Sequence, residues 1–360
     1  MRSSPSSAAA SASRPRGRRA AQPQALHRRP RGGLCHSDLS FAENDFGTVL
    51  PAVLGHELAG VVVALGPAAT RVQVGDHVVG SLVRACGDCA CAVTESTVRC
   101  RTACRSCAAG DRPVCSVWTG LLRYAALGTA AFASHALVHE NQLVAVPREL
   151  PFAQAAILGC GVVTGAGAVL NTASVQPGES VAVLGLGGVG LNAVSGARIA
   201  GATTIVAVDR APEKLELARR LGATDVVDAS SADPVAAVRE LTGGGVQHAF
   251  EVVGLEATTL QAVRMTAVGG TAYLVGLHKP GAVLGLDVMA DLMVPQRSIV
   301  AVYMGSTDIH RDIPRYARLA LDGELDLAAL VAEEIALDDL DAGFDRMRTG
   351  RAARSVVTAF

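Results

Sequence analysis

The sequence predicts a two-domain α/β protein, in which a small antiparallel β-barrel precedes a doubly wound parallel sheet. Between residues 54 and 79, short β-type runs are cut by Gly and Pro, which is typical of barrel strands and their turns. From about residue 177, apolar strands alternate with helical patterns, and this alternation implies right-handed βαβ units. A glycine-rich turn at 185–190 separates the first of these strands from its helix.

Hydrophobic periodicity places the individual elements. Continuous apolar runs of strand length predict buried strands at 181–184, 205–209, 226–227, 248–253 and 271–275. Helical spacing of apolar residues predicts helices at 190–200, 213–221, 311–321 and 337–348, followed by a last strand at 355–358.

Composition limits the classes of partner. With 360 residues, half of them hydrophobic, the chain is long enough for two cored domains. A formal net charge of −1 gives no support to a nucleic-acid partner. No uninterrupted apolar run reaches the ~18 residues that a membrane span needs. We therefore expect neither nucleic acid nor membrane as a partner, and a cytoplasmic location.

Residues 1–33 differ in composition from the rest of the chain. They contain eight Arg and many Ser, Ala and Pro, and the first acidic residue is Asp38. We expect disorder, because such a segment cannot bury enough apolar surface to offset its ordering entropy. An Arg-rich, acid-free start is also typical of an organelle transit peptide. A shifted reading frame is the third interpretation, and it extends to an insert at 88–102.

The glycine turn predicts a dinucleotide site. Gly185 allows the sharp turn, Gly187 lets the backbone approach a pyrophosphate at the helix N-terminus, and Gly190 lets helix and strand pack closely. Asp209 ends the next strand, where it would bind the ribose hydroxyls and repel a 2′-phosphate. The sequence thus favours NAD over NADP, although Arg210 beside it weakens the preference. The alternative is a glycine turn without a ligand.

Three side chains upstream of this turn are suited to bind zinc. Cys35 lies in Gly-Leu-Cys-His-Ser-Asp, His56 in Gly-His-Glu and Cys160 in Gly-Cys-Gly. Two thiolates and one imidazole can hold a zinc ion and leave a fourth position open for a substrate oxygen. Beside a nicotinamide nucleotide, such a metal indicates oxidation of an alcohol. For each residue alone, packing in the core is the alternative.

With these motifs, and with the segments 74–78 and 159–165, the chain from residue 33 onward resembles the zinc-dependent alcohol dehydrogenases of the medium-chain dehydrogenase/reductase family. The resemblance implies that Cys35, His56 and Cys160 hold the catalytic zinc. It also implies a GroES-like catalytic domain at 34–161 and 305–360, with a Rossmann NAD-binding domain at 162–304 between its two parts. Residues 1–33 do not resemble the strands with which relatives begin.

The resemblance assigns further roles. Ser37 would pass on the alcohol proton, Asp38 would orient the ligand histidine, and Glu57 would approach the metal opposite the substrate. Slower turnover near neutral pH is expected, because Ser40 stands where many relatives have the histidine that ends the proton relay. Besides the glycines and Asp209, the implied cofactor contacts are His36, Thr164, Gly188, Val189, Lys214, Val275 and Arg354.

Seven of the nine cysteines fall between residues 86 and 115, and in a chain without a secretory signal such a cluster indicates metal ligands in a reducing compartment. The family's structural zinc is held by cysteines spaced Cys-x2-Cys-x2-Cys-x7-Cys, and removal of residues 88–102 restores that spacing. The predicted ligands are Cys86, Cys104, Cys107 and Cys115, and the alternative set is Cys86, Cys89, Cys91 and Cys100. Zinc contents of the Cys107→Ala and Cys91→Ala variants distinguish the two sets.

The sequence therefore predicts an NAD-dependent alcohol dehydrogenase with two zinc ions per chain, which acts on a small alcohol or aldehyde as a homodimer or homotetramer. One alternative is a zinc-independent reductase of the same superfamily, although such enzymes dispense with the three ligands. Another is a degraded member that binds nucleotide without turnover. Aryl alcohols, aliphatic alcohols and thiol adducts of formaldehyde are all compatible substrates. Trp118, Leu121 and Leu122 either line an apolar pocket or pack in the core.

Overall fold

The computed structural model describes residues 24–47, 50–86, 98, 114–116, 122–349 and 354–360. Its strands are β1 (Gln24–Gly33), β2 (Ala52–Val53), β3 (Glu57–Leu65), β4 (His77–Gly80), β5 (Val114–Ser116), β6 (Leu122–Ala125), β7 (His135–His139), β8 (Leu143–Ala145), β9 (Ser180–Leu184), β10 (Thr204–Asp209), β11 (Asp225–Asp228), β12 (Val246–Glu251), β13 (Thr266–Leu274), β14 (Ser298–Ala301), β15 (Glu333–Ala336) and β16 (Ser355–Ala359). Its α-helices are α1 (His36–Glu43), α2 (Phe152–Ile157), α3 (Val163–Gly167), α4 (Gly188–Ala200), α5 (Pro212–Leu221), α6 (Pro234–Leu241), α7 (Glu256–Met265), α8 (Ile309–Leu321), α9 (Leu327–Leu330) and α10 (Leu340–Arg348).

Both ends of the described chain contribute to one sheet of seven strands. Its order is β15-β16-β1-β3-β4-β8, and β7 also pairs with β1. The pairs β1–β3, β3–β4 and β4–β8 are antiparallel, as the Gly- and Pro-punctuated runs predict. Apolar side chains of β3, β4, β7 and β8 close a buried core between these strands. The sheet places the start of β3, at which the Gly-His-Glu motif ends, beside the end of β1, which leads to Cys35.

The prediction of disorder for 1–33 is wrong for residues 24–33, which form β1 in the interior of this sheet. One edge of β1 pairs with β3, and the other pairs with β7 and then β16. Pairing on both edges determines the extended conformation, and this tertiary effect outweighs the poor strand propensity of an Arg- and Pro-containing run. Pro30 falls where the register shifts between Arg28 and Arg31, a position at which a missing N–H is tolerated. Residues 1–23 lie outside the described residues.

The second large sheet is entirely parallel and has the order β11-β10-β9-β12-β13-β14. The order reverses beside β9, so the carboxyl ends of β9, β10 and β12 frame a crevice at the topological switch point. The strands predicted from continuous apolar runs are all present, and helices intervene between them as expected. The extra edge strand β14 is absent from the prediction, because half of its four residues are exposed and its apolar run is short. A separate three-stranded sheet has the order β2-β6-β5.

A continuous helical stretch connects the two large sheets. Phe152–Ala173 runs through α2, a π-helical turn at Leu158–Val162, α3 and a second π-helical segment at Ala168–Ala173. By length and composition it is apolar enough to cross a membrane, but 83% of its most apolar window is buried inside the protein. Such burial is that of a core helix. The stretch was not predicted, because its apolar residues occur on all sides and give no single face.

Candidate active site

Four buried side chains converge where β1, β3 and the connecting helix meet. Cys35, His56, Glu57 and Cys160 each offer one ligand atom, and these atoms all lie within 4.8 Å of one another. The four residues come from three separate segments of the chain, and the sheet register and the connecting helix bring these segments together. The three predicted zinc ligands are therefore assembled in one place, and Glu57 joins them.

The start of α1 fixes Cys35 and Asp38. Cys35 is the N-cap residue, and the backbone N–H of Cys35 lies 3.4 Å from Asp38 Oδ2. Asp38 Oδ1 accepts a hydrogen bond from the Gly55 N–H and lies 3.0 Å from His56 Nδ1. With Nδ1 held by the carboxylate, Nε2 of His56 is directed toward Cys160 Sγ, 3.2 Å away. The Asp38 carboxylate thus contacts both the backbone before His56 and the ring of His56 itself.

The ionisable side chains of this cluster shift one another's pKa values. A hydrogen bond from Cys160 holds the pKa of the Cys35 thiol well below its ordinary value, against the effect of burial. The same bond and burial raise the pKa of Cys160 well above its ordinary value. Burial lowers the pKa of His56, but Asp38 and Cys35 outweigh it and leave that pKa raised. The pocket thus stabilises a thiolate beside an imidazolium, and ligation of a metal requires the remaining protons to leave.

Cys160 occupies the π-helical turn at Leu158–Val162, a distortion that is frequent at functional sites. The Ser81 hydroxyl donates to the carbonyl oxygen of Gly159 at 2.7 Å, and the Gly161 N–H donates to Glu57 Oε1 at 3.1 Å. The barrel therefore holds the backbone on both sides of Cys160. The thiol faces the other ligands because the turn is fixed there.

Glu57 and Arg354 form a buried ion pair behind the ligands. Arg354 Nη2 lies 3.0 Å from Glu57 Oε1, and the two side chains are 5% and 0% exposed. Arg354 Nη1 donates to the Leu34 carbonyl oxygen at 2.9 Å, next to the first cysteine. Burial raises the pKa of Glu57 to about 7, although Arg354 opposes that rise. Glu57 Oε2 is buried and has no hydrogen-bond partner among the described residues, so one carboxylate oxygen is free to turn toward a cation.

Arg354 also reaches the glycine turn. A Cβ placed on Gly188, the first residue of α4, would lie 2.6 Å from Cζ, Nε and Nη2 of Arg354. The guanidinium thus contacts the N-terminus of the helix at which a dinucleotide pyrophosphate is expected. The same side chain joins this turn to the metal ligands. The pyrophosphate contact that the resemblance implies for Arg354 stays a prediction.

The turn itself has the geometry of a phosphate cradle. Gly185 has φ +94°, which favours glycine, and a Cβ on Gly190 would lie 1.8 Å from the Gly185 carbonyl oxygen. A Cβ on Gly187 would meet nothing within 4 Å, so the space in front of α4 is open. Asp209 closes one side: its carboxylate accepts hydrogen bonds from the N–H groups of Leu186, Arg210 and Ala211. Three acceptor positions are thereby used, and the carboxylate keeps a further one for a ribose hydroxyl.

Other predicted residues lie on the elements around this crevice. Ser37 is half-buried in the first turn of α1, whereas His36 before it is exposed. Thr164 is buried in α3, and its hydroxyl lies 3.5 Å from Met304 Sδ. Half-buried positions hold Val189 in α4, Lys214 in α5 and Val275 after β13.

The sequence does not predict several contacts of the site, and three of them show why. They are the Gly55 N–H on Asp38, the Leu34 carbonyl on Arg354, and Met304 on Thr164. Two of the three use backbone atoms. Every residue type has these atoms, so the sequence does not indicate such contacts. Met304 lies 140 residues from Thr164 and has no motif around it.

The cysteine-rich segment is described only in part. Cys86 is half-buried, and Cys115 lies in β5. Cys89, Cys91, Cys100, Cys104 and Cys107 lie outside the described residues, as do Trp118 and Leu121.

The residues present fit zinc and a dinucleotide. Two sulfur atoms, one imidazole nitrogen and an unpartnered buried carboxylate oxygen form a donor set that suits zinc better than magnesium or calcium. The open cradle before α4, with Arg354 beside it and Asp209 at the next strand, suits a dinucleotide.

Comparison with known proteins agrees with both assignments. The family model described as "Alcohol dehydrogenase GroES-like domain" matches residues 24–148, and the model described as "Zinc-binding dehydrogenase" matches residues 188–322. S-(hydroxymethyl)glutathione dehydrogenase of Synechocystis sp. is 36% identical over 332 residues, which cover 90% of this chain and 89% of the relative. The chain belongs to the zinc-dependent alcohol dehydrogenases of the medium-chain dehydrogenase/reductase family. The S-(hydroxymethyl)glutathione dehydrogenase of Escherichia coli is 35% identical over 90% of this chain and 89% of its own length.

Solved structures of the family share the fold. Benzyl alcohol dehydrogenase from Acinetobacter calcoaceticus superposes with a TM-score of 0.86 at 34% identity, over 95% of this chain and 94% of that chain. An alcohol dehydrogenase zinc-binding domain protein from Burkholderia ambifaria gives a TM-score of 0.88 at 36% identity, over 94% and 92%. The predicted combination of a GroES-like barrel and a Rossmann sheet is confirmed. As a member of this alcohol dehydrogenase family, the chain is a zinc-dependent oxidoreductase that acts on a small-molecule alcohol.

Proposed function

We propose that this protein transfers hydride from an alcohol to NAD and so forms an aldehyde or ketone. The observation that carries the proposal is the convergence of Cys35, His56 and Cys160 on one buried point, joined through Arg354 to the glycine turn. A zinc ligand set and a dinucleotide cradle share one cleft. Primary alcohols, secondary alcohols and thiol adducts of formaldehyde are the candidate substrates, and the names of the similar proteins favour aryl alcohols and glutathione adducts.

The chain's own residues prepare the reaction. When bound, zinc would stabilise negative charge on the substrate oxygen, and NAD would accept the hydride. Asp38 keeps His56 Nδ1 occupied, so that Nε2 faces the ligand cluster. Ser37 Oγ, half-buried one turn before Ser40, is placed to take the alcohol proton toward the surface. Thr164 and Val189 flank the crevice on two helices and exclude water from the nicotinamide side.

Two observations count against the alternatives. The presence of all three ligands in one cluster argues against a zinc-independent reductase. The pairing of β1 on both edges argues against a barrel that has lost its N-terminal strand. Oxidation of a panel of alcohols with NAD, followed by the absorbance of NADH before and after chelation, tests the proposal. Turnover that survives complete removal of zinc contradicts it.

Asp209 provides a sharper test of the cofactor. We expect kcat/KM with NAD to exceed that with NADP by about 100-fold, because a 2′-phosphate would face the carboxylate. Asp209→Asn removes the charge and keeps one acceptor, so the preference should fall by roughly tenfold, the equivalent of about 1.4 kcal/mol. Steady-state kinetics with both nucleotides measure the change. Asp225→Asn, at the opposite end of the neighbouring strand β11, is the matched control and should leave the preference unchanged.

We propose catalytic-domain segments at 34–161 and 305–360 around a nucleotide domain at 162–304, and a second zinc held by Cys86, Cys104, Cys107 and Cys115. We also propose a reducing, cytoplasmic location, because Cys35 and Cys160 can bind zinc only as reduced thiols.

We propose further that the protein is a homodimer that pairs through the edge of the parallel sheet. Within the described strands, β14 pairs with β13 alone and leaves its other edge open. Large apolar side chains are exposed beside this edge, among them Val268, Met293 and Val294. An open edge flanked by apolar side chains is typical of a surface that a second copy covers.

Val294→Asp tests this interface. The charge should shift the mass measured by light scattering from dimer to monomer, because an unpaired carboxylate would become buried between the copies. Val74→Asp is the matched control: Val74 is also exposed, but it lies in the barrel turn before β4. A wild-type monomer, or a dimer that survives Val294→Asp, contradicts the proposed interface.

A further inference from the structure

A second buried carboxylate lies at the nucleotide crevice, on the other side of the glycine turn. Glu251 is the last residue of β12 and is 0% exposed. In the parallel sheet β12 lies between β9, which leads into the glycine turn, and β13. The side chain therefore stands where the carboxyl ends of three neighbouring strands meet, the edge at which ligands bind in such sheets.

One oxygen of Glu251 holds the chain that follows β12. Oε1 accepts hydrogen bonds from the N–H groups of Val253 and Gly254 and from the Thr258 hydroxyl, each at 2.8 Å. Hydrogen bonds to an ionised acceptor are about twice as strong as neutral ones. The carboxylate thus fixes the turn between β12 and α7.

The main chain of Glu251 holds a second loop. Its carbonyl oxygen accepts the N–H groups of Val275 and Gly276, at 2.8 and 3.0 Å, directly after β13. The two loops are in contact, because a Cβ on Gly276 would lie 2.2 Å from the Gly254 nitrogen. The first loop also reaches the glycine turn, since Val253 Cγ2 would lie 2.6 Å from a Cβ on Gly185. One residue therefore joins three walls of the crevice.

The second oxygen of Glu251 is costly to the fold. Oε2 is buried and has no hydrogen-bond partner among the described residues. A buried polar atom without a partner opposes folding, because the hydrogen bonds that it made to water are not replaced. A residue that served stability alone would not leave a buried oxygen unpaired, and unfavourable features of this kind concentrate at functional sites.

We propose that Glu251 is a positioning residue for the dinucleotide, which holds the loops at 252–254 and 275–277 at the separation that the cofactor requires. The inference rests on the proposed use of NAD. Glu251 acts through the two loops, so it determines how well the nucleotide is bound and leaves the chemical step to the zinc ligands.

Glu251→Gln is the direct test. The amide oxygen can still accept the three donors, but it lacks the negative charge that strengthens those bonds. We expect the dissociation constant of NADH, measured by the change in its fluorescence on binding, to rise by about tenfold. The kcat at saturating NAD should change by less than about threefold, with an unchanged zinc content. Without nucleotide, the amides of 252–254 and 275–277 should exchange hydrogen faster than in the wild type.

Controls separate positioning from stability. Glu256→Gln changes an exposed acid in the first turn of α7 and should leave the NADH dissociation constant unchanged. Thr258→Val removes one donor to Oε1 and should raise that constant by about twofold. This variant tests the inference even if Glu251→Gln does not fold. A Glu251→Gln variant that melts at a lower temperature but binds NADH as the wild type does would overturn the inference. A wild type that does not bind NADH would overturn the NAD proposal, and this inference with it.

Discussion

Replacement of His56 by Ala is expected to lower kcat/KM for alcohol oxidation by more than about 10³-fold. Such a loss corresponds to about 4 kcal/mol of transition-state stabilisation, within the several kcal/mol that a catalytic metal contributes. The imidazole is fully buried, and its Nε2 is directed at the cluster of thiols. Its loss leaves two thiols and a carboxylate, so the zinc content should fall by one ion per chain. Metal analysis and steady-state kinetics on the same preparation measure both effects.

His135 provides the matched control for this variant. It is exposed at the start of β7, so His135→Ala removes an imidazole far from the ligands and should leave zinc content and turnover unchanged. Asp38→Asn should have an intermediate effect, a loss of about 10- to 100-fold in metal affinity or activity, because it disturbs a residue that orients a ligand. Full zinc content in His56→Ala would contradict the assignment of the ligand set.

The sequence predicts most of the parallel sheet because each of its strands is buried on both faces. Strands such as β9 and β10 are continuous apolar runs between turn residues. In the helices that follow them, apolar residues recur at helical spacing, and this pattern is easily distinguished from a continuous run. β1 could not be predicted in this way. Its conformation depends on pairing with β3, β7 and β16, which are brought to it by parts of the chain as distant as residue 357.

The active site likewise has residues that the sequence predicts and contacts that it does not. Cys35, His56 and Cys160 lie in short motifs, so their chemistry is visible in the residue types. The contacts that organise them are mostly invisible, because they use backbone atoms or residues far apart in the chain. Arg354 is separated by 320 residues from the carbonyl group of Leu34 that it binds. Its pairing with a glutamate beside the zinc ligands follows only from the folded structure.

Arg354→Met is expected to destabilise the protein by about 3 to 5 kcal/mol, the usual cost of removing one partner of a buried ion pair. Arg354 is 5% exposed and its partner Glu57 is fully buried. Without the guanidinium, Glu57 would stay in the core without a counter-charge, and its pKa, which burial raises to about 7, would rise further. The melting temperature of the zinc-loaded protein should fall accordingly. The variant should also bind NADH more weakly, because the same side chain lies against the start of α4.

The double variant Glu57→Gln/Arg354→Met distinguishes charge from packing. With no carboxylate left unpaired, it should recover much of the stability that Arg354→Met loses, and the sum of the single effects should exceed the double effect. NADH binding should not recover, because the double variant still lacks the cation beside the glycine turn. Arg348→Met is the control for a surface arginine: its ion pairs are half exposed, so the melting temperature should change little. If the double variant is no more stable than Arg354→Met, the loss comes from packing of the long side chain, and the ion pair is not what joins the two halves of the site.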